Sequence, residues 1–292
     1  MKITDPGQET VKAATQGQLL AIDSLLLTIQ PGVFNLAIRM LGNRDDAADA
    51  TQEILLKIIT HLGTFESRSA FTTWVFQIAR NHLLTAITKA KECPEVSLDA
   101  MAERLQMGLE LGAAQDSFYA QPGTLSPEDK VAARQVALGC TQNMLMALNR
   151  DERLIYVLDT VFGLPSKQAA DVLGISPDAF RQRLGRARGK LEGFTNNTCG
   201  LVNPDAACKC ERQLPALKQL RATGAAPPPS IVAIHRSEMQ EAERQFDAFV
   251  RLCDTAALFR AHPQYQVPAA LHGAIRAVLN VEGFWNGQRP MQ

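Results

Sequence analysis

Two sets of side chains have the type and spacing to do chemistry. Between residues 181 and 190 the chain carries Arg181, Gln182, Arg183, Arg186, Arg188 and Lys190. Guanidinium forks at such a density suit bidentate contacts with guanine edges and with phosphate oxygens. Further on, Cys199, Cys208 and Cys210 follow the spacing Cys-x8-Cys-x-Cys. Thiolates at close range are ligands for zinc or another soft metal, although this spacing is not that of a standard zinc finger and a fourth ligand is missing. Cys253, His235 or water are the candidates for it, while packed free thiols or a redox-active pair fit the same spacing.

The elements that must position the basic side chains are legible around them. Ser166 is expected to cap a short helix that buries Ala169, Ala170 and Leu173, and Gly174 closes it where a left-handed residue is needed. Ser176 then caps a second helix with Pro177 at its first position, where a missing N–H costs nothing. Phe180, Leu184, Ala187 and Leu191 recur at steps of four, three and four and form the buried face of that helix. The opposite face is basic, set against only Asp178 and Glu192. An ordinary solvated helix can also be rich in arginine. Here capping, Gly turn and basic face coincide, which matches a helix-turn-helix whose second helix lies in the major groove of DNA.

Nothing global advertises a nucleic-acid binder. The 292 residues hold 30 Lys plus Arg against 30 Asp plus Glu, so affinity for DNA must come from local patches. Aromatic content is 6% and Ala, Leu, Ile and Val dominate, which favours helices. The expected fold class is all-α, in two small helical domains joined by a linker and followed by a helical C-terminal extension. Residues 1–10 are polar and contain Pro6, unlike a secretory signal, and no uninterrupted apolar run has the length of a membrane span. A cytoplasmic protein without a membrane partner is therefore expected. In that compartment the six cysteines are reduced thiols or metal ligands rather than a disulfide framework.

Read in order, Gln18–Leu41 shows helical apolar spacing interrupted at Pro31-Gly32, which predicts two helices. Asn43 can cap the next helix, with Asp45, Asp46 and Asp49 where the helix dipole favours negative charge. Its outer face holds Asp49, Gln52, Glu53 and Lys57, which alone reads as solvated surface. The loop Gly63–Ser69 carries Phe65 and Arg68. The helix after it has Phe71 and Trp74, with Arg80, Asn81 and Lys89 on its polar side. Such aromatics either fill a core or stack on unpaired bases, worth about 1–3 kcal/mol per base. Residues 93–129, with Pro94, Pro122, Gly123 and Pro127, read as a linker in which Leu98, Met101, Leu105 and Leu109 support one amphipathic helix. Ser126-Pro127 starts a helix toward Leu148, and Asn149 with Glu152 makes a capping box for the next. Beyond Phe194 the pattern predicts a short helix near Leu214–Arg221 and a Pro-rich segment, Gly224–Ser230. A long helix marked by Met239, Ala242, Phe246, Phe249, Cys253 and Ala257 should follow, and a last one from Pro268 should bury Leu271, Ile275 and Val278.

Two blocks resemble a known family. Asp-Asp-Ala-Ala-Asp-Ala-Thr-Gln-Glu-Ile-Leu-Leu-Lys from Asp45, with Phe71-Thr-Thr-Trp-Val-Phe-Gln-Ile-Ala-Arg-Asn81, is similar to region 2 of extracytoplasmic-function sigma factors of the sigma-70 family. Leu148–Leu191, with Gly-Leu-Pro-Ser-Lys-Gln-Ala-Ala-Asp-Val-Leu-Gly-Ile-Ser, resembles their region 4. The resemblance implies region 2 over 1–92, region 4 over 130–194 and an extension over 195–292. It also implies an initiation factor with no chemistry of its own. Asp46, Asp49, Gln52, Glu53 and Lys57 would dock on the clamp helices of the RNA polymerase β′ subunit, and region 4 would meet the β flap. Phe65, Arg68, Trp74, Arg80, Asn81 and Lys89 would capture and help open the −10 element. Ser176 and the basic residues from Arg181 to Lys190 would read the −35 element. The family's usual arginine run at the end of the first block is absent, with only Lys89 and Lys91 between Ala86 and Lys91.

A regulator that binds duplex DNA by the helix-turn-helix alone is the alternative, and the Asp49 helix argues against it. An enzyme on the extension lacks support, since no Gly-rich phosphate loop, His-Glu metal motif or nucleophile elbow occurs there. No cofactor is required by this reading beyond a metal at the cysteines. Regulation is expected either from an anti-sigma factor or from the extension folding back on region 2 or 4.

Overall fold

The computed structural model describes residues 1–89, 97–114, 125–223 and 252–279, together with Glu238, Arg244 and Ala248. Its first block is built on α2 (Leu19–Leu41), preceded by α1 (Gln8–Thr15) and followed by α3 (Arg44–His61) and α4 (Phe71–Lys89). Ile22, Leu26, Ile29, Val33 and Leu36 of α2 are fully buried, which is the reason for its apolarity. Among the described residues α2 is the one helix long and apolar enough to cross a membrane, and here it is the core helix of a bundle.

The break expected at Pro31-Gly32 does not occur, and α2 runs through both residues. Proline removes the hydrogen bond to the carbonyl four residues back, at Leu27, whose side chain is exposed. Gly32 serves a close approach instead: a Cβ there would stand 2.7 Å from the Cα of Ile3, which packs into the same core. Asn43 does cap α3, its Oδ1 accepting from the Asp45 N–H at 2.8 Å and the Asp46 N–H at 3.1 Å.

The second block comprises α5 (Leu98–Ala114), α6 (Pro127–Ala147), α7 (Arg150–Tyr156) with a π-helical continuation over Val157–Val161, α8 (Ser166–Leu173) and α9 (Pro177–Thr198). Ser126 caps α6 and Asn149 caps α7 as expected. The capping box at α7 is only half made, because the Glu152 carboxylate accepts from Lys190 Nζ at 2.7 Å. Ser166 is the first helical residue of α8 and not its cap. The extended Pro165 precedes it, and no side chain caps the helix. α5 forms within the stretch read as a linker and packs on α6, burying Met101.

After α9 come a 3₁₀ turn at Cys210–Gln213, then α10 (Leu214–Ala222), α11 (Thr255–Arg260) and α12 (Ala269–Leu279). The long helix expected to pass through Cys253 and Ala257 is interrupted. Cys253 adopts φ 47°, and Asp254 caps a new helix by accepting from the Ala257 N–H at 3.1 Å. Met239, Ala242, Phe246, Phe249, the Gly224–Ser230 segment and the Val278 side chain lie outside the described residues. The described elements are helices and turns, apart from an isolated bridge between Cys199 and Cys208. One continuous apolar cluster runs from Ile3 through both blocks to Ile275, so the blocks share a core.

Candidate nucleic-acid interface

The helix-turn-helix is built as its sequence dictates. Gly174 ends α8 at φ 64°, a conformation that an L side chain adopts only with strain, and the Ser176 hydroxyl accepts from the Ala179 N–H at 3.1 Å to start α9. Phe180, Leu184, Ala187 and Leu191 are buried. Their burial fixes the roll of α9 and turns Arg181, Gln182, Arg183 and Arg186 outward, where all four are exposed.

The basic face divides along its length. Arg188 is half-buried and its guanidinium meets Asp159 at 2.5 Å. Lys190 is held by Glu152 at 2.7 Å. Arg181 pairs with Asp178 one turn earlier on the exposed surface, an arrangement that a phosphate or base edge can displace at little cost. The open half of the face is therefore its N-terminal half, next to the helix start capped by Ser176.

In the first block, Phe65 and Trp74 are half-buried and Phe71 is buried. The three rings form one cluster, with centroids 5.2 Å apart for Phe65 and Phe71 and 5.4 Å apart for Phe65 and Trp74. Arg68, beside them, is exposed and pairs with Glu66 at 2.6 Å. Arg80 donates to the Asn81 side chain at 3.2 Å. The Lys89 side chain lies outside the described residues. On α3, Asp46, Asp49, Glu53 and Lys57 are exposed at steps of three, four and four, one continuous polar stripe, with Gln52 half-buried beside it. Lys57 Nζ and His82 Nδ1 are 2.8 Å apart, which ties the end of this stripe to α4.

Two sets of contacts that the sequence did not announce hold the blocks together. α4 lies against α8: Gln77 donates to the Asp171 carbonyl at 3.1 Å, Gln168 to the Thr73 hydroxyl at 3.1 Å, and the Phe76 and Phe162 rings meet edge to face at 5.5 Å. Buried Arg153 of α7 donates to the Met40 carbonyl at 2.5 Å, satisfying an orphan at the C-terminal end of α2, and also to the carbonyls of Leu145, Met146 and Leu148.

The C-terminal extension adds a clamp. Asn35 exchanges two bonds with the Tyr265 backbone, both 2.9 Å, and Arg39 donates to the Pro263 carbonyl while lying 5.2 Å from the centroid of the Tyr265 ring. His262 sits between Tyr265 Oη at 2.9 Å and Thr141 Oγ1 of α6 at 2.5 Å. Burial lowers the Arg39 pKa to about 10, with the Tyr265 side chain opposing the shift, and burial followed by the Arg39 charge lowers His262 to about 3. Arg44 pairs with the buried Glu238, and Asp23 of α2 receives His272 and Arg276 of α12. Asn35, Arg39 and His262 are buried polar groups that sequence reasoning missed. The signal for Asn35 and Arg39 was two polar residues inside the most apolar helix of the chain.

Cys199, Cys208 and Cys210 line one cavity. Cys253 is exposed in the loop before α11, and His235 lies outside the described residues. The fourth thiol lining the same cavity is Cys140 of α6, about 60 residues upstream and invisible to local spacing. Among the described residues no three His, Cys, Asp or Glu side chains are arranged, as placed, to hold a metal ion.

Comparisons with known proteins fit this division of the chain. The family model for sigma-70 region 2 matches residues 25–92 and that for sigma-70 region 4 matches residues 138–191. An ECF RNA polymerase sigma factor of Bacillus subtilis, SigW, is 27% identical over 184 residues, covering 63% of this chain and 94% of that protein. The RNA polymerase sigma factor CnrH of Cupriavidus metallidurans is 31% identical over 150 residues, 51% of this chain and 73% of that one. A solved complex of the sigma factor RpoE with the anti-sigma factor NepR from Bartonella quintana aligns with 59% of this chain at 24% identity and a TM-score of 0.39. The order of the two matched regions, and a relative aligned over most of its length, place this chain in the extracytoplasmic-function subfamily of sigma-70 factors, which direct promoter-specific transcription by RNA polymerase.

Proposed function

We propose that the chain reads its −35 element with the N-terminal half of α9, through Arg181, Gln182, Arg183 and Arg186. The observation that carries this is their common exposure on a helix whose roll is fixed by four buried residues and whose start is set by Ser176. Arg188 and Lys190, engaged with Asp159 and Glu152, serve to position α9 on α7 and its continuation and to meet phosphates, not to choose bases. The Phe65, Phe71 and Trp74 cluster, with Arg68 and Arg80 nearby, is the seat for unstacked −10 bases. The stripe Asp46, Asp49, Gln52, Glu53 and Lys57 docks on the polymerase clamp. The site of action is the cytoplasm, where polymerase and chromosome meet.

The clamp contacts favour a second element of this reading. A chain whose α4 is packed under α8 cannot lay both readers along two separated promoter elements. Region 4 must leave region 2 before initiation, and the segment Arg260–Gln266, bonded to α2 and α6 together, opposes that departure. The extension is thus an internal restraint, and a separate anti-sigma chain is not needed to explain these contacts.

Run-off transcription with purified core polymerase and the full chain on a promoter library tests the function. Discrete start sites downstream of a shared −35 sequence are expected. Tight duplex binding with no discrete start site under any condition would instead establish a self-standing regulator.

A further inference from the structure

Four cysteines from three segments line one cavity of about 20 Å³. Cys140 comes from the middle of α6, Cys199 from the C-cap of α9, and Cys208 and Cys210 from the loop entering the 3₁₀ turn. Leu105 and Leu258 supply apolar wall, so the cavity joins α5, α6, α9 and α11. It has room for about one water molecule or one bare ion, and a lining this apolar offers water few partners.

The backbone is shaped to hold these sulfurs. Cys199 and Cys208 form a parallel bridge, and Gly200 N–H donates to the Cys208 carbonyl at 2.8 Å. A Cβ on Gly200 would stand 2.6 Å from that carbonyl oxygen, so only glycine lets the two segments close up. Donors are aimed at the sulfurs themselves. The Leu201 and Val202 N–H groups donate to the Cys199 sulfur, and Gln213 Nε2 donates to Cys208 Sγ at 3.5 Å while also holding the Leu105 carbonyl at 2.9 Å. N–H donors directed at cysteine sulfur are the outer support that metal–thiolate centres use to orient and stabilise their ligands.

We propose that Cys140, Cys199, Cys208 and Cys210 form a binding site for one soft divalent cation of the zinc class. The thiols as placed do not surround one point, so binding requires them to turn inward about their side-chain torsions. Four S–H protons pass to solvent, four sulfur–metal bonds form, and no electrons are transferred. The resulting centre carries two negative charges, partly offset by Lys209, whose charge acts on Cys199 and Cys208. The site joins α6 to the segment after α9, and Cys140 adjoins Thr141, the residue that bonds His262.

The test is titration of the reduced full chain with Zn(II), and with Cd(II) read by thiolate-to-metal charge-transfer absorption. One equivalent is expected to saturate the signal, and metal loading should slow the reaction of Cys140, Cys199, Cys208 and Cys210 with a thiol reagent by at least about 10-fold while Cys253 reacts as before. Cys140→Ser should weaken binding by more than about 100-fold and Gln213→Ala by about 10–100-fold, while Cys253→Ser leaves it unchanged. Absence of a saturable one-equivalent signal, thiol reaction rates unchanged by metal, or binding unaltered by Cys140→Ser overturns the proposal. The thiol reaction rates are read on the unaltered chain, so the result does not depend on a variant folding.

Discussion

The helices α4 and α9 each carry candidate DNA contacts, and the fold treats them in opposite ways. α9 buries only its apolar stripe and leaves the N-terminal half of its basic face in solvent. α4 buries Val75, Phe76, Ala79 and Leu83, and the side next to Trp74 is taken up as well, with Thr73 and Gln77 bonded to α8. The element that covers the −10 reader is the first helix of the −35 reader. On the roles proposed for the two helices, the duplex-reading face is open in this structure, whereas strand capture would wait for the two regions to separate.

Loosening the clamp is the strongest way to break that asymmetry. Tyr265 is buried, its ring facing Arg39, its hydroxyl on His262 and its backbone bonded to Asn35. Tyr265→Ala should remove about 3–5 kcal/mol from the docked state, the usual cost of deleting a buried aromatic. Arg39 would regain water once the segment leaves, which offsets part of the loss of its partners. The expected outcome is faster proteolysis after residue 223 together with more transcript per unit of protein on a promoter the chain recognises. A destabilised extension with transcript unchanged or lower would show that covering α4 does not limit initiation.

Within α9 the contrast between free and engaged cations gives the next effect. Arg183→Ala should cost about 1–3 kcal/mol at one −35 base pair and little at the others, because a bidentate fork on a base edge is specific to that base. Arg188→Ala removes a group already paired with Asp159, so its effect should be smaller and even across promoter sequences. Binding of each variant to a set of single-substituted −35 duplexes checks both outcomes. A position-specific loss for Arg188 and an even loss for Arg183 would reverse the assignment of the two halves.

The sequence carried the local structure and the exposed face of α9. Asn43, Ser126, Asn149 and Ser176 cap the helices they precede, and Gly174 turns where a left-handed residue was needed, because these effects depend on neighbours a few residues away. Phe180 to Leu191 gave the buried stripe of α9, and hence its exposed face, for the same reason. What was not legible depends on distant partners. Pro31-Gly32 reads as a break until Ile3 is seen against Gly32. Cys140 has no local signal and joins the other thiols only because α6 runs beside the loop that follows α9. The closure of α4 under α8 rests on Gln77, Gln168 and Phe162, side chains unremarkable in either block alone.

The smallest effect probes the clamp through its buried imidazole, His262. His262 is fully enclosed, with Tyr265 Oη on Nδ1, Thr141 Oγ1 on Nε2 and the Arg39 charge nearby. Each hydroxyl can donate or accept, so the neutral ring is satisfied in either tautomer, whereas a second ring proton would meet desolvation and a like charge. Its pKa is about 3 when docked, against about 6.5 when released. Above pH 6.5 the ring is neutral in both states and the docked form keeps its full stability. As the pH falls below 6.5 only the released state takes up a proton, so docking weakens by about 1.4 kcal/mol per pH unit until the docked pKa is reached. Protection of the Tyr265 amide against hydrogen exchange, after correction for the intrinsic rate, should therefore drop by about 10-fold between pH 7.5 and pH 5.5. In His262→Gln that drop should vanish. A pH dependence that survives the substitution would assign it to another group of the extension contacts, such as His272 beside Asp23, and α4 would then be uncovered by some signal other than the protonation of His262.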